Sequence, residues 1–159
     1  MEHFLPVFKW FSESWAAHLV AGSNWLFPAI EAVHIVALTV LVGAIFFMDL
    51  QMLGIVRRNT SLSKLAGDLD PWAFSSLIII LGSGILLFSS EALKLYNSAP
   101  FQLKMVLLLL AIVFNFTIHR WVTGSDEERI NPILTRITAV VSMGLWLSVG
   151  LCGRAIGFF

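Results

Sequence analysis

The sequence predicts an all-α integral membrane protein, a four-helix bundle preceded by an amphipathic helix lying in the membrane interface. Two observations carry that expectation. Apolar residues make up 58% of the 159 positions and charged residues 13%, about half the charged share of a soluble domain. The apolar residues are also gathered into four long stretches, each reaching the ~20 residues that a spanning helix needs. The length suits a single domain. A formal net charge of zero gives no reason to expect a nucleic-acid partner. The single cysteine, Cys152, excludes an internal disulfide and any multi-thiolate zinc or iron–sulfur site. The partner that composition demands is the lipid bilayer.

Residues 5–20 mix Phe8, Trp10, Phe11, Trp15 and Leu19 with Lys9, Ser12, Glu13 and His18, which suits a helix lying in the interface with its tryptophans at headgroup level. Lys9 and Glu13 interrupt the first apolar run and no basic segment precedes it, so no cleavable signal peptide is expected. The four spans are expected at about 25–55, 71–95, 100–122 and 132–157. Asp70-Pro71 and Asn131-Pro132 each place a capping side chain before a proline at the first helical position. Ser98-Ala99-Pro100, and Asn24 with Pro28, give weaker versions of that signal. Tyr96-Asn97-Ser98 is a short connection, so the second and third helices are expected to be antiparallel neighbours.

Lys and Arg set the orientation. The connections after the first and third spans hold Arg57, Arg58, Lys64, Arg120, Arg129 and Arg136, whereas the other side holds Lys9, Lys94, Lys104 and Arg154. The positive-inside rule places the first set in the cytoplasm and both termini outside. The side that holds the first set is called the inner side, and the side of the second set the outer. Gly82, Ser83 and Gly84, with Ser142, Gly144, Gly150 and Gly153, read as seams for close helix packing.

The polar residues inside the spans carry the functional question, because charged groups at membrane depth cost at least ~2.5–3.5 kcal/mol each. Glu31 and His34 lie near the start of the first span and Asp49 near its end. At 100° per residue Glu31 and Asp49 share a face, and His34 is one turn after Glu31. In the third span Lys104, Leu108, Ala111, Asn115 and His119 trace one stripe, which should face the bundle. The ordinary expectation for these groups is a satisfied network: Glu31 paired with Lys104 or Arg154, Asn115 bonded across helices, and Asp49 and His119 reaching the inner interface.

His34 is about 14 Å deep by helix rise, too far for easy snorkelling, and neutral histidine is the usual ligand of haem iron and many metals. Glu31 is placed to orient its ring. His119 is about 13 Å deeper than His34 by the same rise, so the two histidines are not expected to clamp one haem. Near the level of His34 stand Lys104, Met105, Cys152 and Arg154, with arginine suited to a propionate or to Glu31 rather than to a metal. The polar groups therefore divide into an outer site of Glu31, His34, Lys104 and Arg154 and an inner site of Asp49, Asn115 and His119.

The run from Trp25 to His34, the segment Asp49-Leu50-Gln51-Met52-Leu53-Gly54, the segment Phe101-Gln102-Leu103-Lys104 with Asn115 and His119, and the terminal Gly153-Arg154 resemble an uncharacterised bacterial family of small four-helix membrane proteins. That resemblance implies the four-helix fold, a bacterial inner (plasma) membrane and no particular activity. More distantly, the helices of His34 and Lys104 resemble those of copper-resistance-D-type membrane domains and haem-binding J-type protoporphyrinogen oxidases. Those families have a histidine in the first helix and a lysine in a later one, matched here by His34 and Lys104. No histidine follows Lys104 until His119, which departs from the oxidase pattern. The leading expectation is b-type haem, with His34 as axial metal ligand, Glu31 as its orienter, and Lys104 and Arg154 as propionate partners or, for Lys104, a weak second ligand. The protein would then be an electron-transfer or redox-accessory subunit. The alternatives are a non-enzymatic subunit packing against other membrane proteins or its own copies, and a copper-handling protein using His34, Met105 and Cys152.

Overall fold

The computed structural model describes residues 9, 13–14, 18–20, 22–56, 61–96, 98–124 and 131–156. They are helical, with no strand among them. Four helices are long and apolar enough to cross a membrane. The interfacial helix expected over 5–20 lies for the most part outside the described residues. Within it, Glu13 N–H donates to the Lys9 carbonyl at 2.9 Å and His18 N–H to the Ser14 carbonyl at 3.2 Å, the spacing of helical turns.

The first spanning helix, α1, covers Leu26–Met52. Its leading N–H groups find Ser23, whose Oγ accepts from Leu26 N–H at 3.3 Å, rather than Asn24. The helix closes on Gly54, whose φ of 79° is open to glycine without a Cβ penalty. Gly54 N–H bonds Gln51 O at 2.9 Å and Ile55 N–H bonds Leu50 O at 3.0 Å, the paired bonds of a Schellman ending.

The second helix, α2, covers Leu62–Tyr96 and corrects one expectation. Asp70-Pro71 does not start it; the chain is already helical from Leu62 and passes through Pro71. The cap is Ser61, whose Oγ accepts from Lys64 N–H at 3.4 Å. Burial explains the earlier start. Leu62 is 4% exposed and packs with Met52, Val122 and Ala139 in a small core at the inner end. Proline in a helix forfeits one backbone bond, and that apolar contact holds the added turns in place. Near the outer end α2 bends at Glu91, where φ is −125° and ψ is 20°.

The third rod is made of α3 (Ala99–Phe114), a π-helical turn (Asn115–His119) and α4 (Arg120–Gly124). Ser98 caps it, accepting from Phe101 N–H at 3.4 Å. The last helix, α5, covers Pro132–Ala155, with Asn131 Oδ1 accepting from Ile133 N–H at 2.9 Å.

Helix α1 packs against both α2 and α5, and α5 against α3, while α2 and α3 touch only sparsely. Aromatic pairs bridge that last gap: Phe88 stacks on Phe101 with centroids 5.5 Å apart, and Phe74 meets Phe116 edge-on at 6.4 Å. The central core joins Ala37, Leu41 and Ile45 of α1 to Leu77 and Ile80 of α2, Ala111 of α3, and Trp146 and Val149 of α5. Leu103, Val106, Leu109, Leu110 and Val113 are exposed on α3, as a lipid-facing surface requires.

Candidate functional sites in the two halves of the bundle

The stripe along the third rod does face inward. Ala111 and His119 are buried, Lys104, Leu108 and Asn115 are partly buried, and Met105, Val106, Leu109 and Phe116 are exposed.

In the inner half, Asp49 and His119 are not at the aqueous interface, as a snorkelling pair would be. They are 0% and 1% exposed, and His119 Nε2 donates to Asp49 Oδ1 at 2.8 Å. A buried carboxylate needs such a partner, because its desolvation in the low-dielectric interior is otherwise uncompensated. The π turn explains how His119 gets there. An uninterrupted α-helix turns about 100° per residue and would leave His119 about 60° round from Lys104. A π turn advances roughly 80° per residue, which brings His119 back within about 20° of the stripe. Ser142 of α5 flanks the same carboxyl. Asp49 Oδ2, Asn115 Oδ1 and Ser142 Oγ are fully buried and have no hydrogen-bond partner among the described residues. The inner end also carries an exposed ion pair, Arg120 to Asp70 at 3.4 Å, of the kind worth at most ~1 kcal/mol.

In the outer half, His34 and Lys104 turn inward while Glu31 and Arg154 lie on exposed surface. Glu31 and Asp49 share a face of α1, yet only the inner end of that face is covered. The partner of the His34 ring is Ser83 rather than Glu31: Nδ1 lies 2.8 Å from Ser83 Oγ. Ser83 Oγ also donates to the Ile79 carbonyl at 2.6 Å. A hydroxyl has one hydrogen. A hydroxyl that gives this hydrogen to Ile79 accepts from His34, the arrangement that pairs a proton on Nδ1 with a free lone pair on Nε2.

Two glycines make room for these side chains. A Cβ on Gly84 would lie 3.4 Å from His34 Cε1, and one on Gly153 would lie 3.5 Å from Lys104 Nζ. Gly82, Gly144 and Gly150 behave differently: a Cβ on any of them would meet nothing within 4 Å. The expected packing seams therefore narrow to Ser83-Gly84 and to Ser142 and Gly153. Cys152 is partly buried beside Lys104, but Met105 is 48% exposed, so the expected trio of His34, Met105 and Cys152 does not gather. Among the described residues no group of three or more His, Cys, Asp and Glu side chains is placed to hold a metal ion.

Sequence reasoning does not reach the role of Ser83 or the π turn. Ser83 sits between two glycines in an apolar helix, a pattern that reads equally as packing. The drift of His119 from the Lys104 stripe is the one sequence signal of the π turn.

The match of a family model over residues 7–159, described as a family of unknown function (DUF6644), shows that the chain belongs to that family. No curated protein and no solved structure matches the chain.

Proposed function

We propose that this member of the family holds a redox cofactor of the b-type haem class in the outer half of its bundle, with His34 as axial ligand. One observation carries the reading. Ser83 Oγ lies 2.8 Å from His34 Nδ1, a contact suited to a proton on Nδ1 and a lone pair on Nε2, the form in which imidazole binds iron, and such a second partner both aims the ring and raises its basicity. The surroundings agree. Gly84 leaves space against the ring and Gly153 leaves space beneath the Lys104 amine, a cation suited to a carboxylate-bearing cofactor. Arg154, on the exposed outer surface, is a second cation for a propionate at the rim. Bound haem would supply one-electron transfer. The chain's own residues aim the ligand, balance charge and keep the site inside apolar walls. The connections rich in Lys and Arg support a reading in which the inner half faces the cytoplasm across a bacterial plasma membrane.

The test is an absorption spectrum of the full chain purified from cells supplied with a haem precursor, and again after adding haemin. We expect a Soret band that is lost in His34→Ala and retained in Gly82→Ala, where an added methyl group meets nothing within 4 Å. A wild-type protein without a Soret band under either condition overturns the reading.

A further inference from the structure

The inner cluster holds buried oxygens that no hydrogen bond serves among the described residues. Asp49 is 0% exposed and Ser142 1%, and Asp49 Oδ2, Asn115 Oδ1 and Ser142 Oγ all lack partners among the described residues. Buried polar groups in native proteins are almost always satisfied, so the second oxygen of the Asp49 carboxyl, the Ser142 hydroxyl beside it and the Asn115 oxygen one turn before His119 call for a missing occupant. We propose that Asp49, Asn115 and Ser142 bind one small monovalent cation, a hydronium-borne proton or a sodium ion, taken up from the inner face of the membrane.

The donor set decides the class. Two of the three atoms are pure acceptors and the third is a hydroxyl, and the Asp49 carboxylate repels an anion. Oxygen ligands without thiolate or free imidazole suit a hard cation. One carboxylate supplies one negative charge, which suits a monovalent occupant. His119 is a positioning residue in this arrangement. By occupying Oδ1 at 2.8 Å it leaves Oδ2 as the free ligand and holds the carboxyl in one orientation. The π turn puts Asn115 and His119 on one face, one turn apart, and such bulges recur at functional sites.

His119 from the π turn is the titratable group acting on Asp49, and α5 contributes the neutral Ser142. The neighbouring charges at this end, Arg120 and Asp70, already pair with each other. The site stands apart from the haem reading: Asp49 lies 15 residues beyond His34 on α1, about 22 Å along the helix. Ionisable groups enclosed in spanning helices are typical of proton and ion pathways.

The experiment is thermal unfolding of the full chain in lipid nanodiscs, titrated with sodium chloride against choline chloride at fixed pH, and with acid in sodium-free buffer. A ligand that binds only the folded state raises the melting temperature. We expect a rise in at least one titration, its loss in Asp49→Asn, and a roughly tenfold weaker apparent affinity in Ser142→Ala, which leaves the Asp49–His119 bond in place. A rise with sodium but not choline identifies sodium, and a rise with acid alone identifies the proton. Should Asp49→Asn fail to fold, equilibrium dialysis of radiolabelled sodium and the acid titration, each comparing wild type with Ser142→Ala, read the same site. Curves flat in both titrations, a response that persists in Asp49→Asn, or a Ser142→Ala protein that matches wild type overturn the proposal.

Discussion

His119 Nε2 donates to Asp49 Oδ1 at 2.8 Å across 70 residues of sequence, with both side chains sealed from solvent. The bond joins the end of α1 to the π turn of the third rod and sets the relative height of two parallel helices. Neither partner is stable alone in that environment, since each without the other is a buried group stripped of its main compensation.

Breaking that bond from one side should therefore be costly. His119→Ala and Asp49→Ala are each expected to destabilise the fold by about 3–5 kcal/mol. Replacing both by leucine is expected to recover most of that loss, because no uncompensated charge remains. Denaturant unfolding in mixed micelles measures all three; an additive loss in the double variant would refute the coupling.

Ser83→Ala is expected to separate cofactor binding from stability. It removes one hydrogen bond, worth about 1 kcal/mol, and releases the His34 ring from the contact that orients it. Affinity for haem should then fall about 10–100-fold. Haemin titration followed at the Soret band reads the affinity, and a melting curve reads the stability. Equal haem affinity in the variant would argue against Ser83 as the orienting group.

The glycines should sort by what lies opposite them. Gly82→Ala and Gly144→Ala place a methyl group in open space and are expected to be neutral or stabilising by up to ~1 kcal/mol. Gly84→Leu drives side-chain atoms beyond a Cβ already 3.4 Å from His34 Cε1, so it should displace the ring and abolish the Soret band. Melting temperatures and spectra of the three variants check the pattern.

The π turn makes a prediction about chain length. It absorbs the phase error that one extra residue introduces, so deleting Phe116 should restore an α-helix and keep His119 opposite Asp49, at a cost of about 1 kcal/mol or less. Deleting Leu109 from the regular part of α3 rotates the rest of the rod by about 100° and should lose about 3 kcal/mol or more. Unfolding midpoints that rank the two deletions in the opposite order would show that the π turn does not set the position of His119.

Much of the frame was legible in the residues because lipid imposes one rule on every backbone group. With no water to bond, a spanning segment must be helical, and long apolar runs bounded by Ser98-Ala99-Pro100 and Asn131-Pro132 announce themselves. That His34 and His119 lie at different depths was legible too, because helix rise is a fixed quantity. The offset exceeds the roughly 13 Å expected from that rise, since His119 meets Asp49, about 22 Å along α1 from His34. The start of α2 was not legible. Asp70-Pro71 is a strong local signal, but Leu62 finds Met52, Val122 and Ala139 only once the chain has folded, and that burial outweighs the local preference.

The sequence by itself determined that this chain crosses the membrane on four helices, that Lys104, Ala111, Asn115 and His119 turn toward the bundle, and that its ionisable groups fall at two depths. Periodicity and hydropathy are properties of one segment at a time, and they suffice for those conclusions. Only the tertiary structure decided the partners. Glu31 and Asp49 share a helical face, yet one is exposed and the other is 0% exposed, because the neighbouring helices cover one end of that face and leave the other open. His34 is held by Ser83, and His119 reaches Asp49 through a π turn. Hydrogen bonds are short-ranged and directional, so which groups meet depends on where each neighbouring helix sits and how it is rotated.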